Sequence, residues 1–197
     1  MLDLEPATRT LANIVAGVRD DQLTAATPCR DVTVGALLDH VDSFSTAFTA
    51  AATKTPLPGG GQGRAPDASR LGTDWRKRIP ERLAALGEAW HDGAAWTGMT
   101  RAGGQDLPAD LAGVIALDEV VVHGWDIAVA TGQSYTCEPE LLAAVEQFVA
   151  PTAAQNPDGT PGLFGPPVAV PVGSSLLDRV IGLTGRDPRW PSGANGG

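Results

Sequence analysis

The stretch "ALDEVVVHGWDIAVATG", residues 116 to 132, is apolar almost all the way around a helix, yet it carries Glu119, His123 and Asp126. A helix with so little polar surface has no side to give to water, so it belongs in the middle of its domain with other helices around it. Glu119 and His123 are four residues apart and leave one face a turn from each other, with Asp126 three further on. Around them stand Val114, Ile115, Leu117, Val120, Val121, Val122, Ile127 and Val129. An ionised carboxylate in such company is costly unless it is neutralised, paired or bound to a metal. An acid–imidazole pair that only joins helices accounts for Glu119 and His123 as well as a metal does.

The remaining chain supplies the surrounding helices. Residues 4 to 19 place Leu4, Leu11, Ile14, Val15 and Val18 at helical spacing, with Asp3 as N-cap and Pro6 in the first turn. After "TPCRDVTV", Thr33 caps a second helix reaching about residue 54, with Val34, Leu37, Leu38, Val41, Phe44 and Phe48 on its apolar side. "TPLPGGGQGRAPDAS" is too rich in Gly and Pro for helix or strand and reads as a mobile connection, of the kind that lies over a pocket mouth. A third helix spans about Asp74 to Trp90, with Pro80 kinking it or marking its start and Gly93 signalling its end. The fourth runs from near Pro108 to Thr131 after the loop "RAGGQDLPAD", and Gly132 ends it in the left-handed conformation. A fifth covers residues 138 to 150; a Pro/Gly-rich extended segment follows, with one short strand at "VAVPV" and a last helix near 175 to 184. Four long amphipathic helices and few strands predict a mainly α chain: an antiparallel four-helix bundle over residues 1–150, with residues 151–197 wrapping it as an extension and not as a domain of their own.

His40, in "LLDHVDSF", lies among Leu37, Leu38 and Val41 on the inward side of the second helix. Alone it reads as a core histidine. Bundles build metal sites from inward residues on neighbouring helices, and His40 with the Glu119/His123 pair supplies two nitrogens and a carboxylate. Two His and one carboxylate beside an open position is the ligand set of hydrolytic zinc sites, and a similar set serves iron. Asp126 is placed to orient His123 through its second ring nitrogen, or to pair with Arg186 of the tail. Arg186 itself reads either as a clamp for a substrate carboxylate or as an anchor for the tail. His91, at the end of the third helix, suits a helix C-terminus, and Trp125 suits the core. Cys29 has no histidine near it in sequence and is not taken as a nucleophile.

Several function classes drop out. A net charge of −9 and a pI near 4.6, with dispersed cations, argue against nucleic acid. No stretch reaches the roughly 20 apolar residues of a membrane helix, and the acidic start "MLDLEPATRT" is unlike a signal peptide. The expected location is the cytoplasm, and Cys29 and Cys137 are expected as free thiols.

"DQLTAATPCRDVTVGALLDHV", "DEVVVHGWDIAVATGQ" and "SSLLDRVIGLTGRDPRW" resemble, in order and spacing, the actinobacterial branch of the DinB-like metal-binding proteins, the mycothiol-dependent maleylpyruvate isomerase family. The resemblance runs from about Leu23 to Trp190. It implies a DinB-like four-helix bundle holding one divalent metal at His40, Glu119 and His123, zinc first, with iron or nickel as other occupants. It also implies mycothiol as cosubstrate. The chain departs at Val32, where relatives commonly carry Trp, and in its short tail where longer members have a larger C-terminal domain. The function expected is isomerisation of, or S-transfer to, a small electrophile by a metal-dependent enzyme. A thiol-free lyase, hydrolase or cyclase, and a non-catalytic protein stapled by its metal, are the alternatives. Partners are a small substrate and a small thiol, and the chain is a monomer or homodimer.

Overall fold

The apolar stretch forms one helix, Ala109–Ala130, in which Val120, Val121, Ile127 and Ala128 have no exposed surface. In chain order the helices of this computed structural model, which describes residues 1–57 and 63–190, are α1 (Glu5–Gly17), α2 (Val34–Thr53), α3 (Trp75–Ala89), α4 (Ala109–Ala130), α5 (Pro139–Gln155) and α6 (Leu176–Leu183). A hairpin of β1 (Met99–Ala102) and β2 (Gln105–Pro108) precedes α4. The chain is mainly α, and α1 to α4 form a four-helix bundle. Its core joins Leu11 and Val15 of α1, Leu37, Leu38 and Val41 of α2, Ile79 and Leu83 of α3, and Leu117 and Val121 of α4.

The contacts give the bundle its sense. Glu5 at the start of α1 touches Gly87 at the end of α3, so these two are antiparallel. His40 early in α2 meets Glu119 and His123 in the later half of α4, so that pair is antiparallel too. By contrast, Ala68 just ahead of α3 lies against Gly35 at the start of α2 while Lys54 just past α2 bonds the carbonyl of Thr97 beyond α3, and Gln133 just past α4 bonds the carbonyl of Ile14 late in α1; α2–α3 and α1–α4 run parallel. Parallel neighbours cannot be joined by a tight turn, which is why a long connection separates α2 from α3. Residues 58–62 of that connection, and residues 191–197 of the tail, lie outside the described residues. The described second half of the connection is fastened to α2: Arg70 Nη2 and the Asp67 amide donate to Asp39 at 2.9 and 3.2 Å.

Local signals explain most boundaries. Thr33 caps α2, accepting from the Ala36 amide at 3.3 Å, and Gly132 takes φ +72° just past α4. Four expectations need correction. Asp3 is not the N-cap of α1: Leu4 holds that position, while the Asp3 carboxylate accepts from the Glu5 amide. "RAGGQDLPAD" is no plain loop, since Gly103 and Gly104, both at positive φ, turn β1 back onto β2. α5 passes through Pro151 to Gln155, beyond the expected end at residue 150, whereas α3 begins at Trp75 within its expected span and carries Pro80 inside it. "VAVPV" forms no strand; its Val168 amide donates to the Gly182 carbonyl, and Pro171 removes a donor that a ladder would need. Among the described residues, no helix is long and apolar enough to cross a membrane.

Candidate metal centre

α2 and α4 face each other where both carry imidazoles. His40 Nε2 and His123 Nε2 each lie 3.1 Å from the same oxygen, Glu119 Oε2. One ligand atom from each of the three residues lies within 4.8 Å of the others. The two imidazoles sit edge to face with centroids 4.9 Å apart. Phe44, one turn after His40, packs edge-on against that ring at 5.5 Å and lies nearly parallel to His123 at 6.4 Å. It therefore braces both imidazoles, a role its place in an apolar stripe does not reveal.

The second nitrogen of His123 is held from behind. Nδ1 lies 3.0 Å from Asp126 Oδ2, which leaves Nε2 turned toward Glu119 and His40. Arg186 then closes on Asp126, donating from Nε to Oδ1 at 3.2 Å and from Nη2 to Oδ2 at 3.0 Å, while Nη1 donates to the Thr184 carbonyl at 2.9 Å. Asp126 is 0% exposed and Arg186 7%. Orienting His123 and pairing with Arg186 were alternative roles for Asp126 in the sequence, and it does both. The clamp role of Arg186 gives way to that of anchor, because its fork is closed on Asp126 inside the protein and offers no open edge to a substrate carboxylate. A carboxylate behind a ligating histidine fixes the ring's tautomer and raises its basicity.

Charge at this cluster is out of balance. Glu119, Asp118 and Asp126 gather beside one guanidinium, so with neutral histidines the cluster is two positive charges short. Without a cation, protons make up the difference. Burial lowers the His123 pKa, but the hydrogen bonds and charges of Asp126 and Glu119 outweigh it and push His123 up to about 9. Burial, reinforced by the Glu119 charge, pushes Asp118 up to about 8. For Glu119, burial raises the pKa, and contacts with His123 and His40 more than reverse that, holding it well below the ordinary range. Burial acts upward on Asp126 as well, and Arg186 and His123 override it, so that its pKa too is lowered.

Cys29 comes close to this cluster in space, although nothing in the sequence places it there. Burial raises its thiol pKa, the Arg186 charge opposes the rise, and Asp126 and Glu119 add to it. The thiol is thus kept protonated, consistent with leaving it out as nucleophile. His91 pairs with Asp3 at 3.1 Å and Glu5 at 3.5 Å; this trio also brings its ligand atoms together, but all three residues are exposed. An open groove of about 340 Å³ between α5, α6 and residues 167–170 holds none of the residues above, and its Arg179 and Glu146 pair with each other at 2.7 Å.

The family model for the mycothiol maleylpyruvate isomerase N-terminal domain matches residues 4–128. The chain belongs to this family. The matched span contains His40, Glu119, His123 and Asp126, whereas Arg186 comes from the chain beyond it. Two uncharacterised proteins from two strains of Mycobacterium tuberculosis are each 31% identical over 149 residues, covering 74% of this chain and 74% of their own. The fold is similar to that in the crystal structure of the mycothiol-dependent maleylpyruvate isomerase, with a TM-score of 0.58 and 21% identity over 76% of this chain and 68% of that one.

Proposed function

We propose that His40, Glu119 and His123 hold a divalent cation, with zinc the first candidate. In this reading the protein is a metal-dependent enzyme that uses a small thiol, mycothiol, to isomerise or S-conjugate a small electrophile. The observation that carries the proposal is the convergence of two imidazole nitrogens and a carboxylate oxygen within 4.8 Å, in a half-buried cluster short of two positive charges. A divalent ion fits both the donor set and the deficit. The thiol is supported by membership of a family of mycothiol maleylpyruvate isomerase domains, and by a fold shared with a mycothiol-dependent enzyme.

When bound, such a cation supplies Lewis acidity that favours the thiolate form of a coordinating thiol near neutral pH. The chain's own residues do the remaining work. Asp126 keeps the Nδ1 side of His123 occupied, so that Nε2 presents its lone pair. Arg186 holds Asp126 ionised and in place. Phe44 covers both rings and excludes water from that side. A thiolate that adds to the activated double bond of the substrate forms a carbon–sulfur bond and leaves a rotatable single bond. Expulsion of the same thiolate regenerates the double bond in the other geometry. Proton uptake by the carbanion instead traps the S-conjugate.

The test is an assay of zinc-loaded protein with maleylpyruvate and a panel of activated alkenes, with and without mycothiol. Turnover that requires mycothiol is expected. Turnover that proceeds equally without any thiol would contradict the proposal and select a lyase, hydrolase or cyclase reading. Zinc binding with no turnover and no exchangeable coordination position in a cobalt-substituted sample would select a structural metal.

A further inference from the structure

α2 carries five hydroxyl side chains, and four of them are satisfied within the helix. Ser45, Thr46, Thr49 and Thr53 each return the hydroxyl to the carbonyl four residues back, at 2.7 to 3.1 Å. Ser43 differs: it is half-buried, and among the described residues its hydroxyl has no hydrogen-bond partner. It stands one turn after His40, on the flank away from Phe44. Four residues carry Phe44 about 40° around the helix from His40 in one sense, and three carry Ser43 about 60° in the other. Phe44 is 5% exposed and closes the inner side of the trio against both imidazoles. The trio meets water on its outer side, where 26% of the His40 side chain and 22% of that of Glu119 are exposed. Helical side chains tilt toward the helix N-terminus, so the Ser43 hydroxyl leans back over the turn that carries His40.

The seam beyond Ser43 is apolar. α2 and α4 are antiparallel, so the residues after His40 face those before Glu119; Ala47 and Ile115 are half-buried there, and Leu111 is 39% exposed. The seam leads to a depression of about 30 Å³ that Ala47 and Ala50 line with Arg101 and Ala102 of β1. A molecule seated at the trio from its open side therefore meets one hydroxyl beside His40 and hydrocarbon further along. We infer that Ser43 is a catalytic residue, its O–H donating to the conjugated carbonyl oxygen of the electrophile, where negative charge gathers as the thiolate adds. This rests on the thiol reading above. Addition forms the carbon–sulfur bond and moves the π electrons onto that oxygen as an enolate, while the serine keeps its proton. Collapse of the enolate expels the thiolate; proton uptake from water at carbon completes the S-conjugate instead. A donor aimed where charge develops binds the transition state more strongly than the ground state.

The experiment assays zinc-loaded wild type, Ser43→Ala and Thr46→Ala with mycothiol and the panel of activated alkenes. It also measures, by calorimetry, the binding of 3-nitropropionate in its nitronate form, which mimics the enolate, and of levulinate, whose carbonyl is uncharged. Ser43→Ala is expected to lose about ten- to a hundredfold in kcat and in nitronate affinity, with KM and levulinate affinity changed by less than about threefold. Its zinc content should match that of wild type, and its melting temperature should not fall, because alanine suits a helix interior better than serine. Thr46→Ala, which removes a hydroxyl already given to the Asp42 carbonyl, should keep the wild-type kcat. Wild-type kcat in Ser43→Ala would overturn the inference alone, as would equal losses for nitronate and levulinate or a loss of bound zinc. A wild type that turns over no acceptor with mycothiol would overturn the thiol reading and this inference with it.

Discussion

Two regions of the molecule bury aspartates beside arginines, and they solve the problem differently. On the α2–α3 face, Asp39 and Asp42 are met by Arg64, Arg70, Arg78 and Arg82, whose outer sides are met in turn by Asp67 and Asp74. Four acids answer four bases, and nothing further is needed. Around α4, three acids share Arg186, and two imidazoles stand beside them. A balanced set of buried charges is a fastening. An unbalanced set, with its lone pairs turned inward, is a place for a cation.

If this contrast is right, mutations in the two regions separate by readout. The largest effect belongs to Arg186→Met, which leaves Asp126 buried without its cation. We expect a loss of about 3–5 kcal/mol in chemical unfolding of the metal-free protein, together with zinc affinity weakened about ten- to a hundredfold because His123 loses its support. Asp42→Ala should cost about 2–3 kcal/mol, discounted because Arg78 and Arg82 keep partial access to water. Its zinc content should equal that of wild type. A parallel loss of zinc in Asp42→Ala would erase the distinction between the two regions.

The pH dependence sharpens the comparison. In the metal-free protein His123 titrates at about 9, so a cation must displace its proton at neutral pH. Zinc affinity should therefore climb by about tenfold per pH unit for each proton displaced, and level off above pH 9. Stability without metal should move the other way. His123, raised from 6.5 to about 9, contributes stability that is complete below pH 6.5 and lost as pH rises through 9; the contribution of Asp118, raised from 3.8 to about 8, is complete below pH 3.8 and already lost by about pH 8. Melting scans from pH 7 to 9.5 with and without zinc measure the difference, and the zinc-loaded protein should hold nearly constant. The smallest effect is expected for His91→Ala. That residue sits in the exposed Asp3/Glu5 cluster, so its loss should change stability by less than about 0.5 kcal/mol and leave zinc content unchanged.

Much of this was legible in the sequence for identifiable reasons. An acid and an imidazole four apart inside an otherwise apolar helix cannot both face water, and His40 on an inward face supplies the third donor. The end signals at Thr33 and Gly132 act locally and so read directly from neighbouring residues. What stayed hidden depends on contacts distant in sequence. Asp39 and Asp42 look like the polar side of α2 until residues 63–82 cover them. Cys29 approaches Arg186 across more than half the chain. The buried Oδ1 of Asp118, without a hydrogen-bond partner among the described residues, is defined by what fails to reach it. "VAVPV" has strand-like residues but lies without a second strand to pair with, whereas the hairpin at Gly103 and Gly104 carries a turn signal that a Gly-rich loop conceals.

The most direct measurement is elemental analysis of purified protein loaded with excess zinc and dialysed, for wild type beside His123→Ala. The account predicts about one zinc ion per wild-type chain and none in the variant. A wild type that retains no metal, or a variant that keeps its full share, would contradict it.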